Sequence, residues 1–157
     1  MSTPYYSALN SPSLRTATHR LFRMVESSAP ESALRCPCRS GAVYANCCEP
    51  IHLGAVEAPT AERLMRSRYS AFALGLAPYL LRSWHHETRP ASLDLDADVK
   101  WLGLVIEETV AGGPFDAEGI VEFTAIGRDS GGRFEQRERS RFSRVAARWV
   151  YVDGVGA

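Results

Sequence analysis

All four cysteines of the 157-residue chain fall within thirteen positions, Cys36 to Cys48, in the stretch CPCRSGAVYANCC. No other feature restricts the fold as strongly, because four thiols so close in sequence must converge in space or be kept apart. The spacing is C-x-C, eight residues, then C-C. Four thiolates satisfy the tetrahedral preference of Zn²⁺, with Zn–S about 2.3 Å. Gly41 and Asn46 tolerate left-handed backbone angles and let the chain fold back between the two pairs. Backbone N–H groups in such turns can donate to the sulfurs and lower their basicity. A four-cysteine set, Cys36, Cys38, Cys47 and Cys48, leaves no open coordination position and reads as structural rather than catalytic. Three other readings stay open: an iron–sulfur cluster, although the adjacent Cys47-Cys48 pair does not match the common ferredoxin spacings; redox-active or disulfide-bonded thiols; and four unbound structural cysteines. His52, four residues on, either replaces one of the thiols or is an exposed loop residue.

The compartment bears on that choice. No apolar run approaches the roughly 20 residues that span a bilayer. Leu21 to Val25 is too short and too charged for a signal-peptide core. The expected location is the cytoplasm, where thiols stay reduced and clustered cysteines hold metal more often than disulfides. Eighteen basic residues balance eighteen acidic ones. A global attraction to nucleic acid or anionic lipid is therefore not expected.

Residues 1–34 are rich in Ser, Thr, Ala and Pro and read as a disordered or loosely packed tail, with a short amphipathic helix hinted at over Thr16 to Val25. Residues 35–58 hold the cysteine cluster and end in a turn at Glu57-Ala58-Pro59. Residues 59–157 form the remaining unit. Thr60 is a good N-cap, Glu62 suits the first turn of a helix, and Ala61, Met65, Tyr69, Phe72 and Leu76 fall on one stripe at helical spacing. Gly75 and Pro78 stop that helix, and a second short one is expected from Ala77 to about Trp84. The period then changes to alternation. Strands are expected over Trp101 to Val110, Glu118 to Ile126, Phe134 to Arg144 and Arg148 to Asp153, joined as antiparallel neighbours. Helices followed by a run of strands imply an α+β fold with helices packed on one face of a sheet.

The stretch CPCRSGAVYANCC resembles the SEC-C motif, the zinc-binding knuckle found at the C-terminus of the SecA translocase motor and on many other bacterial proteins. The usual form has Gly after the second Cys, where this chain has Arg39, and its last ligand, Cys or His, is here Cys48. The resemblance extends beyond the knuckle. Thr60-Ala61-Glu62-Arg63-Leu64-Met65-Arg66-Ser67-Arg68-Tyr69-Ser70-Ala71-Phe72 is similar to the hallmark of the uncharacterised YchJ family. So are Ser83-Trp84-His85, Trp101-Leu102-Gly103-Leu104, Glu138-Arg139-Ser140-Arg141-Phe142 and Trp149-Val150-Tyr151-Val152-Asp153-Gly154. The resemblance implies structural Zn²⁺ on the four cysteines, followed by a domain similar to nuclear transport factor 2: a cone in which helices pack on a curved four-stranded antiparallel sheet. It implies no biochemical activity.

Cones of this kind often enclose a cavity, so the strand faces matter. Arg133, Glu135, Arg137, Arg139 and Arg141 share one face, the solvated one. Phe134, Gln136, Glu138, Ser140 and Phe142 share the other. A two-residue turn at Ala146-Ala147 sets Phe142 opposite Tyr151 and Ser140 opposite Asp153, although Ala-Ala is poor chemistry for such a turn. A carboxylate on an inward face needs a partner or a proton. The expected partner of Glu138 is Arg68, either as a plain ion pair between helix and sheet or as part of a pocket with Trp84, His85 and Tyr151; a third reading leaves Glu138 simply exposed. Glu107, Glu108 and Glu122 are assigned no chemistry. No phosphate-binding loop and no Ser or Cys nucleophile set is present.

These readings favour a zinc-binding, non-enzymatic interaction module. The knuckle would present a partly basic surface, including Arg35 and Arg39, to a protein or ribosomal partner. Neither a membrane nor sequence-specific nucleic acid is expected. The alternative is a small-molecule-binding protein or enzyme that uses a pocket in the cone.

Overall fold

The structure is a computed structural model and describes residues 34–156. The expected tail and its short helix, Thr16 to Val25, lie outside the described residues. The chain enters through a short bridge between Arg35 and Val43, a 3-10 turn, Tyr44–Asn46, and a one-turn helix α1, Glu49–His52. Helices α2, Ala61–Leu74, and α3, Ala77–Arg82, follow, then strands β1, Lys100–Ala111, β2, Glu118–Asp129, β3, Gly132–Val145, and β4, Arg148–Gly156. The strands form one antiparallel sheet in the order β1-β2-β3-β4. Among the described residues no helix is long and apolar enough to cross a membrane.

The ends of α2 follow from their caps. Thr60 sits in extended backbone and its Oγ1 accepts from the Arg63 N–H at 3.1 Å, satisfying one of the helix's orphan donors. Gly75 takes φ 72° and ends the helix. The Leu76 N–H then returns to the Ala71 carbonyl at 2.9 Å, the closure that a left-handed residue permits. Of the apolar stripe, Ala61, Met65 and Tyr69 are buried and Phe72 and Leu76 pack half-buried against the core, but burial is wider than the stripe. Leu64, Ser67, Arg68, Ser70 and Ala71 are also sequestered, because α2 is packed by the sheet, by α3 and by the cysteine-rich segment at once.

Strand β2 alternates buried and less buried positions along most of its length, with Val121, Phe123 and Ala125 inward, the period-2 signature of a sheet with one covered face. Bulges in β1 after Trp101 and after Ile106 curve the sheet around α2. A further bulge at Arg141/Phe142 revises the expected β3–β4 register. Phe142 does face Tyr151, but Arg141 faces Asp153 and Ser140 faces Gly154. The Ala146-Ala147 turn is a two-residue one despite its chemistry, with φ of 49° and 65°. At the outer edge of β4, the Tyr151 N–H donates to the Ser83 carbonyl at 2.9 Å and the His85 N–H to the Tyr151 carbonyl at 2.7 Å. The segment leaving α3 thus covers that edge. On the solvated face, Arg139 bridges Glu108 and Glu122 at 2.8 and 2.9 Å, and Arg141 Nε meets Asp153 at 2.7 Å. Arg137 Nε also donates to Glu122 at 2.9 Å; that contact, then Arg139, holds the Glu122 carboxyl below its ordinary range, and Arg141 does the same for Asp153.

Candidate metal centre and cavity

The four cysteines are buried, and their sulfurs all lie within 4.8 Å of one another. Cys38 Sγ is 3.6 Å from Cys47 Sγ, and Cys47 Sγ is 3.9 Å from Cys48 Sγ. A tetrahedral thiolate site with metal–sulfur bonds of about 2.3 Å places its sulfurs about 3.8 Å apart. The cluster therefore has the size of a closed four-coordinate site. Local backbone produces it. The Cys36 N–H reaches the Ala42 carbonyl at 2.9 Å and the Arg39 N–H the Cys36 carbonyl at 3.2 Å, closing a tight turn. Arg39 takes φ 61° and Gly41 φ 86°, so the Arg found where the motif usually has Gly occupies a left-handed position. The 3-10 turn and the start of α1 then bring Cys47 and Cys48 back to the first pair.

Helix α2 supplies the surroundings. Ser70 Oγ donates to Cys48 Sγ at 3.4 Å and stands 3.5 Å from Cys36 Sγ. Ser40 Oγ lies 3.2 Å from Cys47 Sγ. Arg63 reaches Cys47 Sγ at 3.4 Å and the Cys47 carbonyl at 3.2 Å, and Arg66 the Cys38 carbonyl at 3.0 Å. Burial works against the Arg63 charge, yet the Cys47 contact and the other thiols carry its pKa upward. Without a cation the thiols compete for protons. Donation from Cys36 and Cys48 holds the Cys38 thiol far below the ordinary range, and Cys48, the donor to Cys36 and Cys38, is pushed far above it. Such a split is what a bound cation removes, since it favours the thiolate at every ligand.

His52 is neither a ligand nor an exposed loop residue. Helix α1 turns it inward, where it is buried against Tyr79 with ring centroids 4.5 Å apart. Its Nε2 lies 2.8 Å from the Ser67 carbonyl and its Nδ1 2.8 Å from Tyr44 Oη. A carbonyl only accepts, so the proton sits on Nε2 and Tyr44 donates to Nδ1. Burial keeps the ring's pKa below its usual value, in keeping with a neutral imidazole.

On the other side of α2 a cavity of about 240 Å³ opens toward the inner face of the sheet. Tyr69, Phe72, Trp84, Trp101, Phe123 and Tyr151 form its apolar walls, and Arg68, Gln136, Glu138 and Ser140 its polar ones. Arg68, only 2% exposed, lies over the Tyr151 ring at 4.4 Å and the Trp84 ring at 4.9 Å. Its Nη1 donates to the Leu80 carbonyl at 2.8 Å and to Ser83 Oγ at 2.7 Å. Burial brings its pKa down to about 10, which leaves it charged at neutral pH. Glu138 Oε1 accepts from Ser140 Oγ at 2.7 Å and from Tyr151 Oη at 3.2 Å. Burial, and then the Glu138 charge, push the Tyr151 phenol upward.

The expected ion pair between Arg68 and Glu138 is not formed. The guanidinium is held by α3 and the carboxylate by neighbours on β3 and β4, so each charge has its own partners. Gly154 gives the carboxylate its place, since a Cβ there would lie 2.0 Å from Glu138 Oε1. The Trp84 indole N–H is buried with no acceptor among the described residues. Of the pocket residues named from sequence, Arg68, Trp84, Glu138 and Tyr151 line this cavity. His85 does not. It stacks on His86 with centroids 4.6 Å apart and faces a separate depression beside Thr88. Ser70, Arg63, Arg66 and Gly154 escaped the sequence reading as site residues. The helical spacing of Arg63, Arg66 and Ser70 at i, i+3 and i+7, pointing away from the apolar stripe, is the signal that could have found them.

Residues 60–154 match the family model described as YchJ, middle NTF2-like domain, and residues 35–50 match the SEC-C motif. A UPF0225 protein of Streptomyces coelicolor is 53% identical over 119 residues, covering 76% of this chain and 93% of that protein. One from Chromobacterium violaceum is 47% identical over 83% of this chain and 98% of its own length. Among solved structures, a SEC-C motif containing protein from Rhodopseudomonas palustris superposes with a TM-score of 0.69 at 31% identity, over 79% of this chain and 99% of that one. Another, from Psychrobacter arcticus, gives 0.64 at 27% identity over 78% and 82%.

Proposed function

The chain belongs to the UPF0225, or YchJ-like, family, and on that premise we propose that it is a small-molecule-binding protein whose binding helix is stapled by a structural Zn²⁺. One observation carries the binding reading: opposite charges on Arg68 and Glu138 line one aromatic-walled cavity without pairing to each other. Side chains that only filled a core would close such a gap. The Zn²⁺ reading is supported by the sulfur spacing, by the all-cysteine donor set and by donors placed around it. The two parts meet in α2, whose Arg63, Arg66 and Ser70 hold the knuckle while Arg68 and Tyr69 line the cavity.

Metal analysis of the purified chain should return one zinc per chain, and chelation should lower its melting temperature. A fold indifferent to chelation removes the staple. For the cavity, screening small fragments by amide and indole NMR shifts should perturb Trp84 and residues 136–140 first. Shifts confined to other surfaces count against it.

A second reading is favoured by the exposure of Arg39, Ser40, Gly41 and Ala42 at the outer turn of the knuckle: a protein or ribosomal partner docks there. A pulldown lost on Ala42→Glu substitution, with zinc content intact, supports it. Recovery unchanged by that substitution removes it.

A further inference from the structure

We propose that the cavity takes a small, flat, uncharged ring that carries both a hydrogen-bond acceptor and an N–H donor, the chemistry of ring lactams and amino-substituted heteroaromatics. This rests on the binding reading above and names the ligand class for the same site.

Four observations lead there. The first is charge. The lining holds one cation, Arg68, and one anion, Glu138, so its formal charge is zero. An anionic ligand meets Glu138, and a cationic one meets Arg68. Arg68 also already occupies the faces of Trp84 and Tyr151 that would otherwise hold an ammonium group. With no second basic group in the lining, a phosphate finds too little compensation.

The second is direction. Both Arg68 contacts with protein use Nη1, and its other N–H groups have no protein acceptor among the described residues. A guanidinium donates more bonds than its Nη1 makes here, so this end of the cavity offers donors to an acceptor on the ligand. At the other end, Glu138 Oε2 has only a long contact of 3.4 Å from the Gln136 amide, and a carboxylate can accept more. That end asks for a donor.

The third is rigidity. Ser140, Tyr151 and the room left by Gly154 hold Glu138, while Leu80 and Ser83 hold Arg68. The two ends therefore keep their separation with the cavity empty, the preorganisation that favours a ligand bridging both. The fourth is size. About 240 Å³ falls below the roughly 300–1,000 Å³ of drug-sized sites, and the apolar walls are mostly aromatic, suited to a ring ligand. A single ring system fits, without a sugar or a long chain.

The test uses the ¹⁵N-labelled full chain, purified with its metal. It is titrated in parallel with 2-pyridone, hypoxanthine, benzoate, benzylamine and toluene, following the Trp84 indole and the amides of residues 136–140. The expected result is that 2-pyridone or hypoxanthine binds at least about tenfold more tightly than the other three, and that Glu138→Gln weakens this binding by about tenfold or more. The spectrum of the variant itself shows that the fold survives. Lactam binding that is indifferent to Glu138→Gln overturns the proposal. Tightest binding by benzoate, benzylamine or toluene at the same residues overturns the ligand class while leaving the cavity a binding site. The absence of shifts with all five probes overturns both the class and the binding reading.

Discussion

His52 Nε2 donates to the Ser67 carbonyl at 2.8 Å and so ties the helix leaving the cysteine cluster to the middle of α2. The carbonyl is buried, and the tilted rings of Tyr44 and Tyr79 flank the imidazole. His52→Phe keeps most of the ring's volume but removes both imidazole bonds, the one to Tyr44 and the one to the Ser67 carbonyl, which then keeps only its partner within α2. It should lower unfolding free energy by about 1–3 kcal/mol, read from urea midpoints at saturating zinc. Tyr44→Phe removes only the outer bond, to Nδ1, at a residue that water reaches. It should cost about 1 kcal/mol or less. Equal costs for the two variants would show that the Ser67 contact has no special weight.

Ser70 is the one α2 side chain that stands between two of the sulfurs. Its hydroxyl stabilises thiolates, so Ser70→Ala makes the ligands more basic and lets protons compete better for them. The sign is definite: the variant should release zinc at a higher pH than the parent chain. Its affinity at neutral pH should fall by about 10–100-fold, measured by competition with a chromophoric chelator. A release curve unmoved along the pH axis would mean that the Ser70 contact is packing alone.

Much of this arrangement could be read from the sequence because its causes are local. Thr60 and Gly75 mark the ends of α2 by their own capping chemistry, four alternating runs mark the strands, and the cysteine spacing marks the cluster. What the sequence hid depends on partners far along the chain. The bulge at Arg141/Phe142 moves Ser140 from Asp153 to Gly154, and nothing in either strand alone announces it. Arg68 and Glu138 share a cavity, as their inward positions imply, but their failure to pair follows from Leu80, Ser83, Ser140 and Tyr151. His52 resembles a loop residue until α1 turns it toward Ser67, fifteen positions on.

The Ala146-Ala147 turn is a local mismatch that the fold tolerates. Both residues sit at positive φ, where a Cβ costs roughly 1–2 kcal/mol per residue and where Asn-Gly is preferred. Ala146→Asn/Ala147→Gly should therefore stabilise the chain by about 1–2 kcal/mol in thermal or urea unfolding. Cavity and cysteine cluster should be unchanged, since neither residue touches them. A neutral or destabilising result would mean that the turn geometry is not the two-residue one observed.

Gly154 and Glu138 form a coupled pair across β3 and β4. A Cβ at position 154 would fall 2.0 Å from Glu138 Oε1 and 2.4 Å from Cδ, so Gly154→Ala must push the carboxylate off its place. The displaced group loses the Ser140 and Tyr151 hydroxyls, at a cost of about 1–3 kcal/mol. In a Glu138→Ala background there is no carboxylate to displace, so the same Gly154→Ala change should cost much less. The difference between the two costs is the coupling energy of the pair, and about 1–2 kcal/mol is expected for residues in contact. Strict additivity in the four-variant cycle would mean that Gly154 serves the strand pairing and not the carboxylate.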